Sequence, residues 1–283
     1  MRFGEFRVEI VPDTEFRLDG GAMFGVVPKV LWQRVAPADE DNRVLLNMNC
    51  VYVETATDKI LIETGIGEKW SEKAVKMYGI SRERPLAESI RAIAGCGPEE
   101  ITIVVNTHLH FDHAGGNTIR DARTGDIVPQ FPNARYLVSR SEYEHAAEPH
   151  ERDRASYLAE NWEPLLRSGQ LELMADEYEV VPGLRMQVVR GHSATMQTWR
   201  LESGGQTMYG FADLVPTANH LAPAWIMGYD LFPTETLAFK KEVLPRAVRE
   251  RWLCVFYHDP AKPLCRLAET DGIIRGEAFD AHN

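Results

Sequence analysis

The chain has 283 residues, 44% of them hydrophobic, enough to build a full core in one large domain or two small ones. Its 31 basic residues against 42 acidic ones give a formal charge of −11, which argues against a nucleic-acid partner, because such a surface needs a Lys/Arg footprint to displace counterions. No apolar run approaches the roughly 18 residues that span a membrane, and Met1–Arg7 has no apolar leader core, so a cytoplasmic protein without a membrane partner is expected.

Taken in chain order, Arg7–Val11 and Glu15–Leu18 alternate like edge strands, and Asp19-Gly20-Gly21 reads as the turn that ends them. Ala22–Pro28 is an apolar loop without a period, suited to a flap over substrate or to a contact in a homodimer through Met23–Val27. Either role needs Met23 and Phe24 exposed. Arg43–Thr55 reads as a long strand that Asp58 turns into Lys59–Glu63, a hairpin with Glu63-Thr64-Gly65 at its exit. Helices are predicted at Ser71–Tyr78 and Leu86–Ala94, the second stopped by Gly95. Ile101–Val105, rich in β-branched residues, predicts a buried strand. Ala134–Val138 predicts another strand, Ser141 opens a charged helix, and Pro149–Arg154 reads as a surface excursion. Short strands follow at Leu171–Met174, Leu184–Val189, Gln197–Leu201 and Gln206–Phe211. A helix from about Thr234, its expected N-cap, to about Arg251 leads to strands at Leu253–Tyr257 and Leu264–Leu267. With no repeat, linker or composition break, a single domain over residues 1–283 is the economical reading. Cys50, Cys96, Cys254 and Cys265 lack C-x-x-C spacing and are expected to be buried free thiols, as in a reducing cytoplasm.

The chemistry concentrates in Asn106–Asn117, directly after the Ile101–Val105 strand, where His108, His110, Asp112 and His113 fall within six residues. Only 9 histidines occur in the chain, so three in that window call for a cause. Imidazoles and a carboxylate crowded past a strand end suit Zn²⁺ and similar ions. If strand geometry persists, His108 and His110 share a face while Leu109 enters the core, and Gly115-Gly116 lets the backbone bend sharply. Three further ligand types stand where apolar strands give way to loops: His192 in Gly191-His192-Ser193, Asp213 after Phe211-Ala212, and His258 after Phe256-Tyr257. Together they complete seven ligands, a number that two metal ions can use.

His-x-His-x-Asp-His, then Gly-His-Ser, Phe-Ala-Asp and Tyr-His-Asp, in that order, resemble the metallo-β-lactamase superfamily of binuclear metallohydrolases. The resemblance implies an α+β fold, an αββα sandwich of two mixed β-sheets flanked by helices. It also implies two divalent ions. Zn²⁺ is the best match, although the same ligands accept Mn, Fe or Co. His108, His110 and His192 would hold one ion and Asp112, His113 and His258 the other, with Asp213 bridging. The family's Leu-Ile-Asp-Thr-Gly motif here reads Leu61-Ile62-Glu63-Thr64-Gly65, which leaves the place of that carboxylate open.

Two such ions can share a hydroxide that attacks a carbonyl or phosphoryl centre, with Asp213 fixing their separation and Asp112 shuttling the proton to the leaving group. The stretches Asp19–Gly25 and Met227–Pro233 resemble the branch of N-acyl-homoserine lactonases, arylesterases and methyl parathion hydrolase. A hydrolase of small apolar lactones or esters is therefore expected. Phosphotriesterase-like activity is the alternative, followed by a non-catalytic metal-bound scaffold and an RNA-processing enzyme. Lactonases of the quorum-quenching type carry a Tyr three residues past the bridging Asp. Pro216 stands there in this chain, so His220 is the candidate replacement donor, with Met23, Phe24, Trp225 and Met227 as pocket walls. Asp259 beside His258 is a weak candidate for a supporting carboxylate.

Overall fold

A computed structural model describes residues 1–279. They form two compact units, Met1–Thr14 with Met48–Tyr178, and Glu15–Asn47 with the chain from Glu179 onward. The division falls inside two long strands, β2 (Phe6–Asp19) after Thr14 and β3 (Arg43–Glu54) after Asn47.

The first unit is organised by a seven-stranded mixed sheet that contains β1 (Arg2–Phe3), β4 (Lys59–Ile62), β5 (Ile103–Val105), β8 (Arg135–Ser139) and β9 (Leu171–Met174) in the order β1-β2-β3-β4-β5-β8-β9. A separate two-stranded ribbon pairs β6 (Thr118–Arg120) with β7 (Ile127–Pro129). The central strands β4, β5 and β8 run parallel, with Ile62 opposite Val105 and Val105 opposite Leu137. Apolar β-branched residues fit there because both faces of a central parallel strand are covered. The carboxyl ends of β4, β5 and β8 therefore share one edge of the sheet, the side of an open α/β sheet where ligands are bound.

The second unit holds another mixed sheet, in the order β10-β11-β12-β13-β14-β15-β16. Its strands are β10 (Glu177–Val181), β11 (Leu184–Val188), β12 (Gln197–Ser203), β13 (Gln206–Gly210), β14 (Leu253–Val255), β15 (Leu264–Thr270) and β16 (Ile273–Ala278). The helix Pro233–Arg249 packs Leu244 and Ala247 into a core with Phe211, Trp252, Phe256 and Cys265. Each large side chain buried there is worth about 1.5–3 kcal/mol. Among the described residues no helix is long and apolar enough to cross a membrane.

Several local expectations need correction. Arg7–Leu18 is one unbroken strand, β2, and Asp19-Gly20-Gly21 starts a helix, Gly20–Phe24, because the Asp19 carboxylate accepts the Ala22 N–H at 2.8 Å and caps it. Met23 and Phe24 are buried, at 1% and 2% exposure, and Val26 is the side chain of that segment left in solvent. The long helix starts at Pro233 with Phe232 in the capping position, so Thr234 lies inside it. The weakly alternating strands β1, β6, β7, β10 and β16 carried no periodic signal, being short or only partly buried. All four cysteines are buried free thiols, as expected. The excursion at Pro149–Arg154 is tied down at Asp153, whose carboxylate lies 2.7 Å from His145 Nε2. His282, to which the sequence assigns no role, lies outside the described residues.

Candidate functional site

In the first unit the loop after β5 carries Asn106, Thr107, His108 and His110, and the short helix Phe111–Ala114 carries Asp112 and His113. All four metal-ligand candidates are buried, at 7% exposure or less. Their rings crowd together, with His108 4.5 Å from His110 and 4.0 Å from His113. Leu109 faces the opposite way into a core of Ala114, Val138, Tyr157 and Trp162, as the alternation expects. Two carboxylates at neighbouring strand ends brace this loop. Glu63, just past β4 at φ 64°, accepts from Thr107 N at 3.2 Å and from the Thr107 hydroxyl, and lies 3.2 Å from His113 Nδ1. Glu142, on the helix Arg140–Ala147 after β8, is fully buried and accepts the Leu109 N–H at 2.7 Å, between the two histidines. Thr64, Asn106 and Asn117 close a hydrogen-bonded ring on the His113 carbonyl.

Gly115-Gly116 does not serve the bend expected of it. Gly115 has ordinary helical dihedrals, and both glycines are needed for closeness. A Cβ on Gly115 would lie 2.2 Å from the Ile66 carbonyl oxygen, and one on Gly116 2.1 Å from that of Thr64.

In the second unit, β13 and β14 are parallel with Gly210 opposite Val255. Asp213 and His258 each follow their strand end by three residues, so the register brings them level, and His258 Nε2 lies 3.2 Å from Asp213 Oδ1. His192 follows β11, and its Nε2 lies 3.4 Å from Asp213 Oδ2. Asp213 is thus flanked by two imidazoles, one at each oxygen. Gly191 makes this possible, since a Cβ there would stand 2.4 Å from Leu214 and 2.6 Å from Thr236.

A common device orients these rings. His192 Nδ1 is 3.1 Å from Asp230, His258 Nδ1 is 3.0 Å from the Asn47 carbonyl, and His108 Nδ1 is 3.0 Å from the Thr107 hydroxyl. With Nδ1 engaged, Nε2 is the atom presented for a ligand, which is how metal-binding imidazoles are fixed in tautomer and direction. Within the first unit, ligand atoms of Glu63, His108 and His113 lie within 4.8 Å of one another. Nitrogen and carboxylate donors at such spacing, buried and pre-aimed, fit a divalent ion of the Zn²⁺ type.

Sequence reasoning missed Asp230, Glu142 and Thr107. Asp230 hides in a loop read as pocket wall, and Glu142 in a helix read as a charged surface. The Asp259 carboxylate accepts from Ala261 N and Lys262 N in its own loop and from Ala218 N.

The expected pocket walls form one packed group in the second unit. Phe24 is stacked between Trp32 at 5.3 Å and His220 at 4.7 Å, with Trp225 edge-on at 5.6 Å. Met227 is buried and Trp225 half-buried. His220 cannot serve as the donor expected of it. Its Nε2 donates to the Met23 carbonyl at 2.9 Å and its Nδ1 accepts from Thr217 at 2.8 Å, so both nitrogens are consumed. Burial, foremost, pushes its pKa down to about 3, so the ring is neutral.

A family model described as the metallo-beta-lactamase superfamily matches residues 44–156. An N-acyl homoserine lactonase of Bacillus cereus is 31% identical over 197 residues, covering 62% of this chain and 71% of the relative. The N-acyl homoserine lactonase AiiA of Bacillus thuringiensis subsp. kurstaki is 28% identical over 241 residues, 76% of this chain and 83% of the relative. Among solved structures, a probable metal-dependent hydrolase from Staphylococcus aureus superposes with a TM-score of 0.88 at 29% identity, covering 99% of this chain and all of the other (100%). The dizinc quorum-quenching lactonase AidC has a TM-score of 0.79 at 20% identity, over 100% of this chain and 97% of its own, a likeness of fold. The α+β class with two mixed sheets is that of these structures. The chain belongs to the metallo-beta-lactamase superfamily.

Proposed function

We propose that this metal-dependent hydrolase opens the ring of N-acyl-homoserine lactones. The observation that carries the reading is the pair of ligand half-sets, each pre-aimed inside its own unit, on a chain whose curated relatives are named as such lactonases. His108, His110 and His192 are assigned to one divalent ion and Asp112, His113 and His258 to a second, with Asp213 shared. Zinc is the best match to a nitrogen-rich set of this kind. When bound, such ions lower the pKa of water toward about 7 and polarise a carbonyl.

The chain's own residues supply the rest. Asp213, held between His192 and His258, sets the spacing of the ligand shell. Asp112 takes the proton that the attacking water gives up and passes it to the ring oxygen as that C–O bond breaks, leaving an alcohol and a carboxylic acid, which releases its proton to solvent as the carboxylate. Trp225 and Met227 offer an apolar wall for the acyl chain, and His220 contributes by stacking on Phe24 rather than by donating. The buried free thiols suit a reducing compartment such as the cytoplasm. Exposed Val26, Val30 and Leu31 are the face we assign to a homodimer. Sedimentation as a monomer at micromolar concentration would remove that assignment.

The test is metal content per chain together with turnover of homoserine lactones, simple aryl esters and an aryl phosphotriester. Two ions per chain and a preference for lactones are expected. A metal-replete sample inert toward every lactone overturns the reading.

A further inference from the structure

The second unit contains a cavity of about 330 Å³ that none of the seven proposed ligands lines. Its walls are apolar, formed by Met23, Phe24, Val44 and Leu46 among others, and its polar side chains are Arg17, Thr217, Asn219 and His220. His220 and Thr217 spend their polar atoms on each other and on neighbouring backbone. Asn219 uses its amide N–H₂ on the Val35 carbonyl at 3.3 Å, which leaves its oxygen as an acceptor. Arg17 is half-buried, and no carboxylate pairs with it among the described residues, although the chain carries an excess of acidic groups.

A guanidinium at an apolar cavity with no carboxylate beside it is open to an anionic ligand, and it grips a carboxylate with two parallel hydrogen bonds. Arg17 also faces away from the ligand set. Phe16, the residue before Arg17 on β2, contacts the His258 ring at 5.6 Å, and consecutive strand residues project to opposite faces. The volume is at the low end of small-molecule sites, which run from about 300 Å³ upward.

We infer that this cavity binds a small amphipathic carboxylate, its apolar chain among Met23, Phe24, Val44 and Leu46 and its carboxylate on Arg17. A medium-chain fatty acid or an N-acyl amino acid has this chemistry. The inference does not depend on the lactonase reading.

Octanoate is the probe, titrated calorimetrically into the metal-replete protein beside octanol and octylamine. Octanoate is expected to bind, and the two analogues without a carboxylate at least tenfold more weakly. Arg17→Met keeps the side chain's apolar length and is expected to weaken octanoate at least tenfold while lactone turnover is unchanged. Val35 also lines the cavity and is 48% exposed, so Val35→Glu folds readily and adds a like charge. It is expected to weaken octanoate in the same way. Equal binding of octanol and octanoate, or octanoate affinity indifferent to both substitutions, overturns the proposal. The second pattern is also the one that carboxylate capture at the metal centre would produce.

Discussion

Removing the carboxylate of Asp230 tests whether the buried polar groups behind the histidines tune the metal site. Asp230 is 3% exposed, accepts from His192 Nδ1 at 3.1 Å and from the Thr236 hydroxyl at 2.7 Å, and touches no proposed ligand atom directly. Loss of such a partner behind a ligating histidine costs about 10–100-fold in metal affinity, or about 1.4–2.7 kcal/mol. Asp230→Ala frees the imidazole to rotate and leaves the fully buried Thr236 hydroxyl without its acceptor, a further penalty of about 1–3 kcal/mol in folding. Asp230→Asn turns its amide oxygen toward His192 and its N–H₂ toward Thr236, whose oxygen accepts. Orientation survives in that variant while the negative charge that makes the ring more basic is lost. The expected order of metal affinity is therefore wild type, then Asp230→Asn near the tenfold end, then Asp230→Ala near the hundredfold end. Zinc titration against a chromophoric chelator reads this, with urea unfolding of metal-free protein separating the folding term. Wild-type affinity in both variants would refute the role given to Asp230 and weaken the same reasoning at Glu63.

Glu63→Asp, one methylene shorter, is expected to lose its reach to Thr107 and His113 and to lower metal affinity about tenfold or more by the same titration. Gly115→Ala pushes a methyl group against the Ile66 carbonyl, backbone that cannot swing aside, and is expected to cost about 1–3 kcal/mol in urea unfolding with a matching loss of turnover. His220 has a folded-state pKa depressed to about 3 from 6.5, so between those values the unfolded chain binds a proton that the folded chain refuses. Its contribution to stability is complete above pH 6.5 and falls as pH drops toward 3. His220→Phe keeps a ring against Phe24, and metal-free unfolding from pH 7 to 4 is expected to show a shallower slope than wild type. Lys240 is buried and donates to the Ala222 and Trp225 carbonyls at 2.7 and 2.8 Å. Lys240→Met is expected to loosen the loop carrying Trp225 and Met227, seen as faster amide exchange at Gly228 and a raised KM for long-chain lactones with a smaller change for short ones.

The histidine cluster and the three isolated candidates stood out because an apolar, strand-forming run precedes each of them, and a reactive side chain just past such a run has few bland uses. Their bracing was not legible. Asp230 meets His192 only through the folding of a loop onto Gly191, and nothing local in the sequence announces a pair so far apart. Glu142 sits in the segment Arg-Ser-Glu-Tyr-Glu, where a charged face is the ordinary reading, yet it turns inward to meet the Leu109 N–H. Misreading Asp19-Gly20-Gly21 as a turn had a different cause. The same residues stop a strand and start a helix, and the capping carboxylate decides between the two. That single choice also moved Met23 and Phe24 from solvent into the core.

The pairing of Gly210 with Val255 has a bearing on how this chain tolerates change over time. Because Asp213 and His258 stand equally far past that pair, a one-residue insertion or deletion in either connecting segment swings one of them off the sheet edge while leaving the strands and their apolar contacts unharmed. Descendants with altered spacing there would still fold, yet lose the meeting of acid and imidazole. Lineages that keep the reaction are thus expected to keep the length of 211–212 and 256–257, exchanging Phe211 and Phe256 only for side chains that still fill the core. Those that drift in length are expected to survive only as folded proteins put to another use.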